Sequence, residues 1–588
     1  MKLNFVNKTW SYLLLMIIPI YLSSCSKKDD NSPINKDNVK LIFNVVGIDE
    51  YAEDDNSNSG DQSSKQIIKN SKLLTSGNHS NEGNTIEDIK NYGGFDAILS
   101  FEENQDGDPG QKAYLDARGI KSSSKISNTA SAMTLGFKYR VLVYKEDGTY
   151  LGAIDGSSGT TPTTTIPFSV GQKYKWVAYS FNNSTALPAA AIPPALPTTN
   201  FQVSPTTNKD LLYATGNLTT AVLGDNVINV TFKRAASRIR VKLDARGLFS
   251  KIQNSFKVTL NTGALKQGTF DLLSGDYGTL SNATNPTVTY LADNTYGPDL
   301  IYYADYYTAA KSATTQPLKV TLSSFRVTSD INDDWGYFFN SNGSNLETAS
   351  KSFDFGNVLP VKGKTYNARV QMVDPPAVTS DGTKWARGNL YYDANRANDK
   401  YRIRGRSSDF YDTRGANKNQ EYWNFNTLIP NGSTPGDPCA MVYPEGVWKT
   451  PTSTQLSALN SLSGTKYGKS EVLYLYWENS STSPASIVAP FIDNAYTDNT
   501  TRKGLYLLAL GYRQEGTGVI LDYSFGNSGV ITSYGYLRSS SSNSVFKLGV
   551  THNYYTNISS YSGGTYGKSI VSTFPANRGA MIRCVRTK

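Results

Sequence analysis

Lys138-Tyr139-Arg140-Val141-Leu142-Val143-Tyr144 decides the fold class. Its β-branched and aromatic residues favour an extended chain. The turn Lys145-Glu146-Asp147-Gly148-Thr149 behind it fits a hairpin. Lys173-Tyr174-Lys175-Trp176-Val177-Ala178-Tyr179 repeats the composition. Upstream, Val39-Lys40-Leu41-Ile42-Phe43-Asn44-Val45-Val46 is a further strand, and its apolar run predicts burial on both faces. Ala97-Ile98-Leu99-Ser100-Phe101 reads as another strand of this first region. The acidic, Ser/Asn-rich stretch from Asp49 to Ser64 reads as a loop, and Pro193-Pro194 with Pro197 as an extended connection.

A chain of 588 residues is too long for one core and implies three or four domains. Tyr, at 39 residues, and Gly, at 48, fit a mainly β chain with many turns. The net charge of +9 is spread rather than striped, which argues against nucleic acid as a partner. His79 and His552 are the two histidines, so a multi-His metal cluster is excluded and a Ser–His triad is disfavoured. No cofactor is called for.

The N-terminus carries Lys2 and Lys8, an apolar run from Tyr12 to Tyr21, and then Leu22-Ser23-Ser24-Cys25. That order is a secretory signal peptide, its apolar run about half of the ~20 residues a spanning helix needs. Leu-Ser-Ser-Cys resembles a bacterial lipobox, which implies acylation of Cys25; the alternative is an ordinary signal peptide with an incidental cysteine. Residues 1–24 are then the signal and 25–36 a polar tether. Two cysteines remain, Cys439 and Cys584, and in an exported chain a disulfide is favoured over a catalytic pair.

The strand at 138–144, then Gly171-Gln172-Lys173-Tyr174-Lys175-Trp176-Val177-Ala178-Tyr179-Ser180-Phe181-Asn182-Asn183, then Phe232-Lys233-Arg234-Ala235-Ala236-Ser237-Arg238-Ile239-Arg240-Val241, resembles the fimbrillin family of Bacteroidetes-type bacteria. The resemblance spans roughly residues 37 to 373 and implies two β-sandwich-like domains, 37–230 and 231–373. In the second, Lys257–Leu260, Thr287–Tyr290 and Leu318–Leu322 alternate as half-buried strands, and Leu359–Val370 resembles the closing strand. Aromatic strand packing is favoured over a glycan-facing patch for Ile301–Tyr307.

The family also implies a mechanism. A protease removes the lipidated end with the first strand, and other pilus subunits fill the groove by β-strand complementation. The candidate cut lies between Arg118 and Gly119, at the first arginine of the chain, farther from the first strand than the family's usual spacing.

Pro375-Pro376 marks a boundary. Beyond it Trp385-Ala386-Arg387-Gly388-Asn389-Leu390, Gly446-Val447-Trp448-Lys449-Thr450-Pro451-Thr452 and Ile582-Arg583-Cys584-Val585-Arg586 are similar to the Fibrobacter major paralogous domain. That resemblance implies a C-type-lectin-like or formylglycine-generating-enzyme-like α+β fold over 376–588. Thr452 is placed to cap a helix through Leu456 and Leu459. Cys439 and Cys584 suit a structural bridge better than the enzyme's reactive cysteines, so no enzymatic activity is expected. The lectin calcium signature is missing, and Ser407–Phe410 and Asp493-Asn494 read as loops. Candidate ligand contacts are Trp423, Trp477, Tyr534, Tyr536 and Tyr554, with core packing the alternative for each.

The expectation is a minor, tip-located pilus subunit. It would be exported as an outer-membrane lipoprotein, would cap the filament because its terminal strand is not readily donated, and would bind a host or bacterial surface glycan or protein. The alternatives are a non-polymerising surface lipoprotein and, last, an enzyme.

Overall fold

The computed structural model describes residues 39–49, 89–92, 95–103, 130–160, 162, 166–188, 202–218, 222–253, 256–311, 315–325, 327–329, 350–403, 418–463, 465–469, 473–478, 504–523, 529–553 and 565–587. These form a mainly β molecule. Cys25, Arg118, Gly119, Tyr554, Ser407–Phe410 and Asp493-Asn494 lie outside them.

The principal strands of the first sheet are β1 (Val39–Asp49), β3 (Lys138–Lys145), β4 (Tyr150–Ser157), β5 (Tyr174–Ser180), β6 (Leu212–Leu218) and β7 (Gly224–Arg234), with β2 (Asp96–Glu103) elsewhere. Their spatial order is β1-β7-β6-β5-β3-β4. The hairpin expected at 145–149 joins β3 and β4. One face of this sheet buries Val141, Val143, Trp176 and Phe232. On the other, Leu142, Val177 and Tyr179 pack against Phe270 and Tyr277 of the next region.

The second region contains β8 (Ser237–Gly247), β9 (Lys257–Leu260), β10 (Ile301–Thr308), β11 (Gln316–Ser323), β12 (Lys351–Val358) and β13 (Thr365–Val373). One sheet runs Leu291–Ala292, β10, β8, β13, β2, Lys90–Asn91, and a second runs β9-β11-β12. Their facing sides share a core of Val241, Val370 and Met372 with Leu318, Val320 and Phe353. Strand β10 alternates Tyr302 and Tyr306 into that core, the packing expected of it. Two expectations are corrected here. Residues 97–101 read as part of the first region, yet β2 pairs along its length with β13 of the second. Thr287–Tyr290 is not a strand, because it pairs with no other strand among the described residues; Val288 and Tyr290 still pack on the core.

The third region is assembled from small sheets. Its elements are β14 (Lys384–Trp385), β15 (Trp448–Lys449), helix α1 (Ser453–Ser461), β16 (Leu473–Glu478), β17 (Gly504–Leu508), β18 (Val530–Arg538), β19 (Val545–Asn553), β20 (Thr565–Val571) and β21 (Val585–Arg586). Strand β21 sits between β14 and β15, and β18-β19-β20 form a three-stranded sheet. Thr452 caps α1 through a reciprocal capping box with Gln455, and Leu456 and Leu459 are buried against Phe546 and Leu548 of β19.

The second and third regions are fastened by buried polar contacts. Arg246 is sandwiched between the rings of Tyr296, at 3.8 Å, and Tyr443, at 3.7 Å, and pairs with Asp244 at 2.9 Å. Tyr443 donates to the same carboxylate at 2.6 Å and accepts from Gln371 at 2.7 Å. Arg586 of β21 reaches across to the Asp96 carboxylate of β2 and the Asp374 carbonyl. Ile98 of β2 packs against the cluster that holds Trp423, Trp448 and the two cysteines.

Candidate functional site

The first candidate is the edge where β1 lies. Its burial alternates, with Val39, Leu41 and Phe43 facing the core and Lys40 and Asn44 facing solvent. The expectation of burial on both faces is therefore corrected: among the described residues nothing fully covers the outer face, so polar residues are tolerated there. Strand β1 pairs parallel with β7 from Val39↔Gly224 to Asp49↔Lys233. Asn44 donates to the Asn229 side chain at 2.9 Å, and Asn226 donates to the Lys40 carbonyl at 3.2 Å. Its other edge is met by single bridges at Phe168 and Ser131. At the second, Ile48 and Ser131 exchange backbone hydrogen bonds of 2.8 and 2.9 Å. A Cβ at Gly47 would lie 2.3 Å from the Ser131 carbonyl oxygen, so the close approach requires glycine.

Magnitudes decide what such a strand can do. Burying Val39, Leu41, Phe43 and Ile48 contributes roughly 6–12 kcal/mol at about 1.5–3 kcal/mol per side chain. A strand of that worth does not leave spontaneously. If it were removed, the exposed backbone edge of β7 and the apolar groove beside it would favour a replacement of the same alternation.

The second candidate lies in the third region. Cys439 and Cys584 form a disulfide with their Cα atoms 5.7 Å apart, and both are fully buried. Closing a loop of 145 residues contributes ~4–5 kcal/mol in the chain-entropy account. Of the aromatic residues expected to contact ligand, three are corrected. Trp423 is fully buried between Tyr392 and Tyr401. Trp477 is buried in the core beneath α1. Tyr536 packs on Tyr512 and Phe574, and its hydroxyl donates to Asp522. Burial and that carboxylate hold the Tyr536 hydroxyl far above its ordinary pKa. Their flat rings are worth more in the core than in water.

Tyr534 is the exception: it is half-buried on the outward face of β18, with the Lys547 ammonium 4.0 Å from its ring centroid. Lys547 was not singled out from the sequence. The signal was there, in the alternation Lys547-x-Gly549-x-Thr551 beside Thr532-x-Tyr534-x-Tyr536, which sets these residues on one face. Among the described residues no group of His, Cys, Asp and Glu could hold a metal ion, and no helix is long and apolar enough to cross a membrane.

A chain of paired β regions with a strand along one edge is the class these features define. Residues 123–383 match the model of a family described as fimbrillin-like, and that stretch takes in β3 to β13. A fimbrillin-like region supports a pilus-associated or adhesive role. The chain is similar to a candidate cell adhesion protein from Bacteroides fragilis, with 13% identity over 44% of this chain and 91% of that one, at a TM-score of 0.28. It is also similar to a candidate cell adhesion protein from Bacteroides uniformis, with 12% identity, 41% and 90% coverage and a TM-score of 0.27. The fimbrial anchor protein Mfa2 from Porphyromonas gingivalis is similar at 13% identity, 34% and 72% coverage and a TM-score of 0.20. TM-scores this low carry no argument. No curated protein matches the chain.

Proposed function

We propose that this protein is a minor subunit at the tip of a cell-surface pilus, exported as a lipoprotein acylated at Cys25. In this reading the segment carrying β1 is cut away after Arg118, and a strand from a neighbouring subunit takes its place. The observation that carries the reading is the position of β1: full pairing on one side, single bridges on the other, and a buried apolar row facing the core. The third region, with a C-type-lectin-like fold, supplies adhesion to a glycan or protein. Strand β21 lies between β14 and β15 and is tied by the neighbouring disulfide, which supports a role as acceptor rather than donor. A bridged, fully buried cysteine pair supports a non-enzymatic third region.

The test is immunogold labelling of sheared filaments with antibody against the third region. Label confined to one end is expected. Label along the whole shaft contradicts the tip position.

A further inference from the structure

The outward face of the β18-β19-β20 sheet has a floor of bare backbone. Gly549 and Gly567 are register partners, and Tyr534 stands opposite Gly549 on the next strand. The Tyr534 ring lies over Gly549, where a Cβ would come within 2.9 Å of it, whereas a Cβ at Gly567 would meet nothing within 4 Å. The result is a shallow trough one residue wide beside a half-buried aromatic ring. Lys547 borders it, 4.0 Å from the Tyr534 centroid and 5.5 Å from that of Tyr536.

Charge on this face is not balanced. Neither Lys547 nor the guanidinium of Arg578, which lies over the adjoining aromatic cluster, has an ion pair among the described residues. Asp522, the acid nearby, accepts the Tyr536 hydroxyl. The Tyr534 hydroxyl is likewise without a hydrogen bond among the described residues. A half-buried cation held over rings rather than by a carboxylate is available to an incoming anion.

We propose that this face binds an acidic sugar residue of a surface glycan. The C–H face of the pyranose lies on Tyr534 and the open backbone of Gly567, its carboxylate pairs with Lys547, and Arg578 extends the favourable field. A flat, rigid, amphipathic ring fits a glycine floor beside a tyrosine, whereas an acidic peptide would need pockets for alternate side chains, which the described residues of this face do not form. The assignment rests on the adhesive reading of the third region and names its ligand class.

The experiment compares binding of a glucuronate-terminated disaccharide and its glucose-terminated counterpart to the full chain by calorimetry. The acidic sugar should bind about tenfold more tightly at low ionic strength, the advantage shrinking as salt screens the half-buried cation. Lys547→Gln should abolish that preference, bringing the affinity for the acidic sugar down to that for the neutral one. Tyr534→Leu should weaken both. Equal affinities for the wild-type chain, no binding of either sugar at millimolar concentration, or an unchanged preference in Lys547→Gln overturns the proposal. Adhesion of glycan-bearing cells to the immobilised chain is scored in parallel. Adhesion that survives both substitutions overturns this site alone, while loss of wild-type adhesion on removing cell-surface glycan, together with loss of adhesion in Lys547→Gln, supports it. No adhesion by the wild-type chain overturns the adhesive reading itself.

Discussion

Asp293 shows how single residues set the conditions under which the second region is stable. Burial would raise its pKa, but the Lys242 ammonium at 2.9 Å and the Thr295 hydroxyl and backbone N–H lower it to about 2. A carboxyl depressed in the folded state stabilises above its unfolded pKa near 4, and that stability is lost as pH falls through about 2. The expected loss is up to ~2 kcal/mol, an upper figure because burial pulls Lys242 below its own ordinary value in the same pair. Urea unfolding of the wild type and Asp293→Asn between about pH 5 and about pH 2 checks this; the variant should lack that part of the acid dependence. Gly47→Ala is the second expectation at this scale. The Cβ would meet the Ser131 carbonyl, so hydrogen exchange should show β1 opening more readily while β8 and β13 are unchanged.

At the scale of elements, what was local was legible. The hairpin after Tyr144 and the capping of α1 by Thr452 follow from residues within a few positions of each other. The placement of β2 was not legible, since its partner β13 lies far along the chain and a short apolar run does not say which sheet it joins. Nor could the sequence tell a buried Trp423 from an exposed one, as both readings use the same composition. The position of β2 has a consequence for processing. By its place in the sequence, a cut after Arg118 severs β2 as well as β1 from the rest of the chain. Strand β2 is held by its pairing to β13 and by the buried contact of Asp96 with Arg586. The N-terminal fragment should therefore stay bound after cutting until an incoming strand displaces it, and Asp96→Ala, which leaves Arg586 buried without its carboxylate, should cost ~3–5 kcal/mol of that grip and release the fragment without a displacing strand. Gel filtration of cleaved protein distinguishes a retained fragment from a released one.

For the whole molecule, the disulfide separates the fate of the third region from the rest. Replacing Cys439 and Cys584 by Ser should lower the stability of that region by ~2–5 kcal/mol, and calorimetry should show its transition shifting while that of the first sheet stays in place. Beyond this the account rests on β1 giving way to a strand from another subunit. The most direct test is the N-terminal residue of the protein recovered from sheared filaments. A chain beginning at Gly119 is the predicted result. A filament-borne chain still beginning at an acylated Cys25 would contradict it.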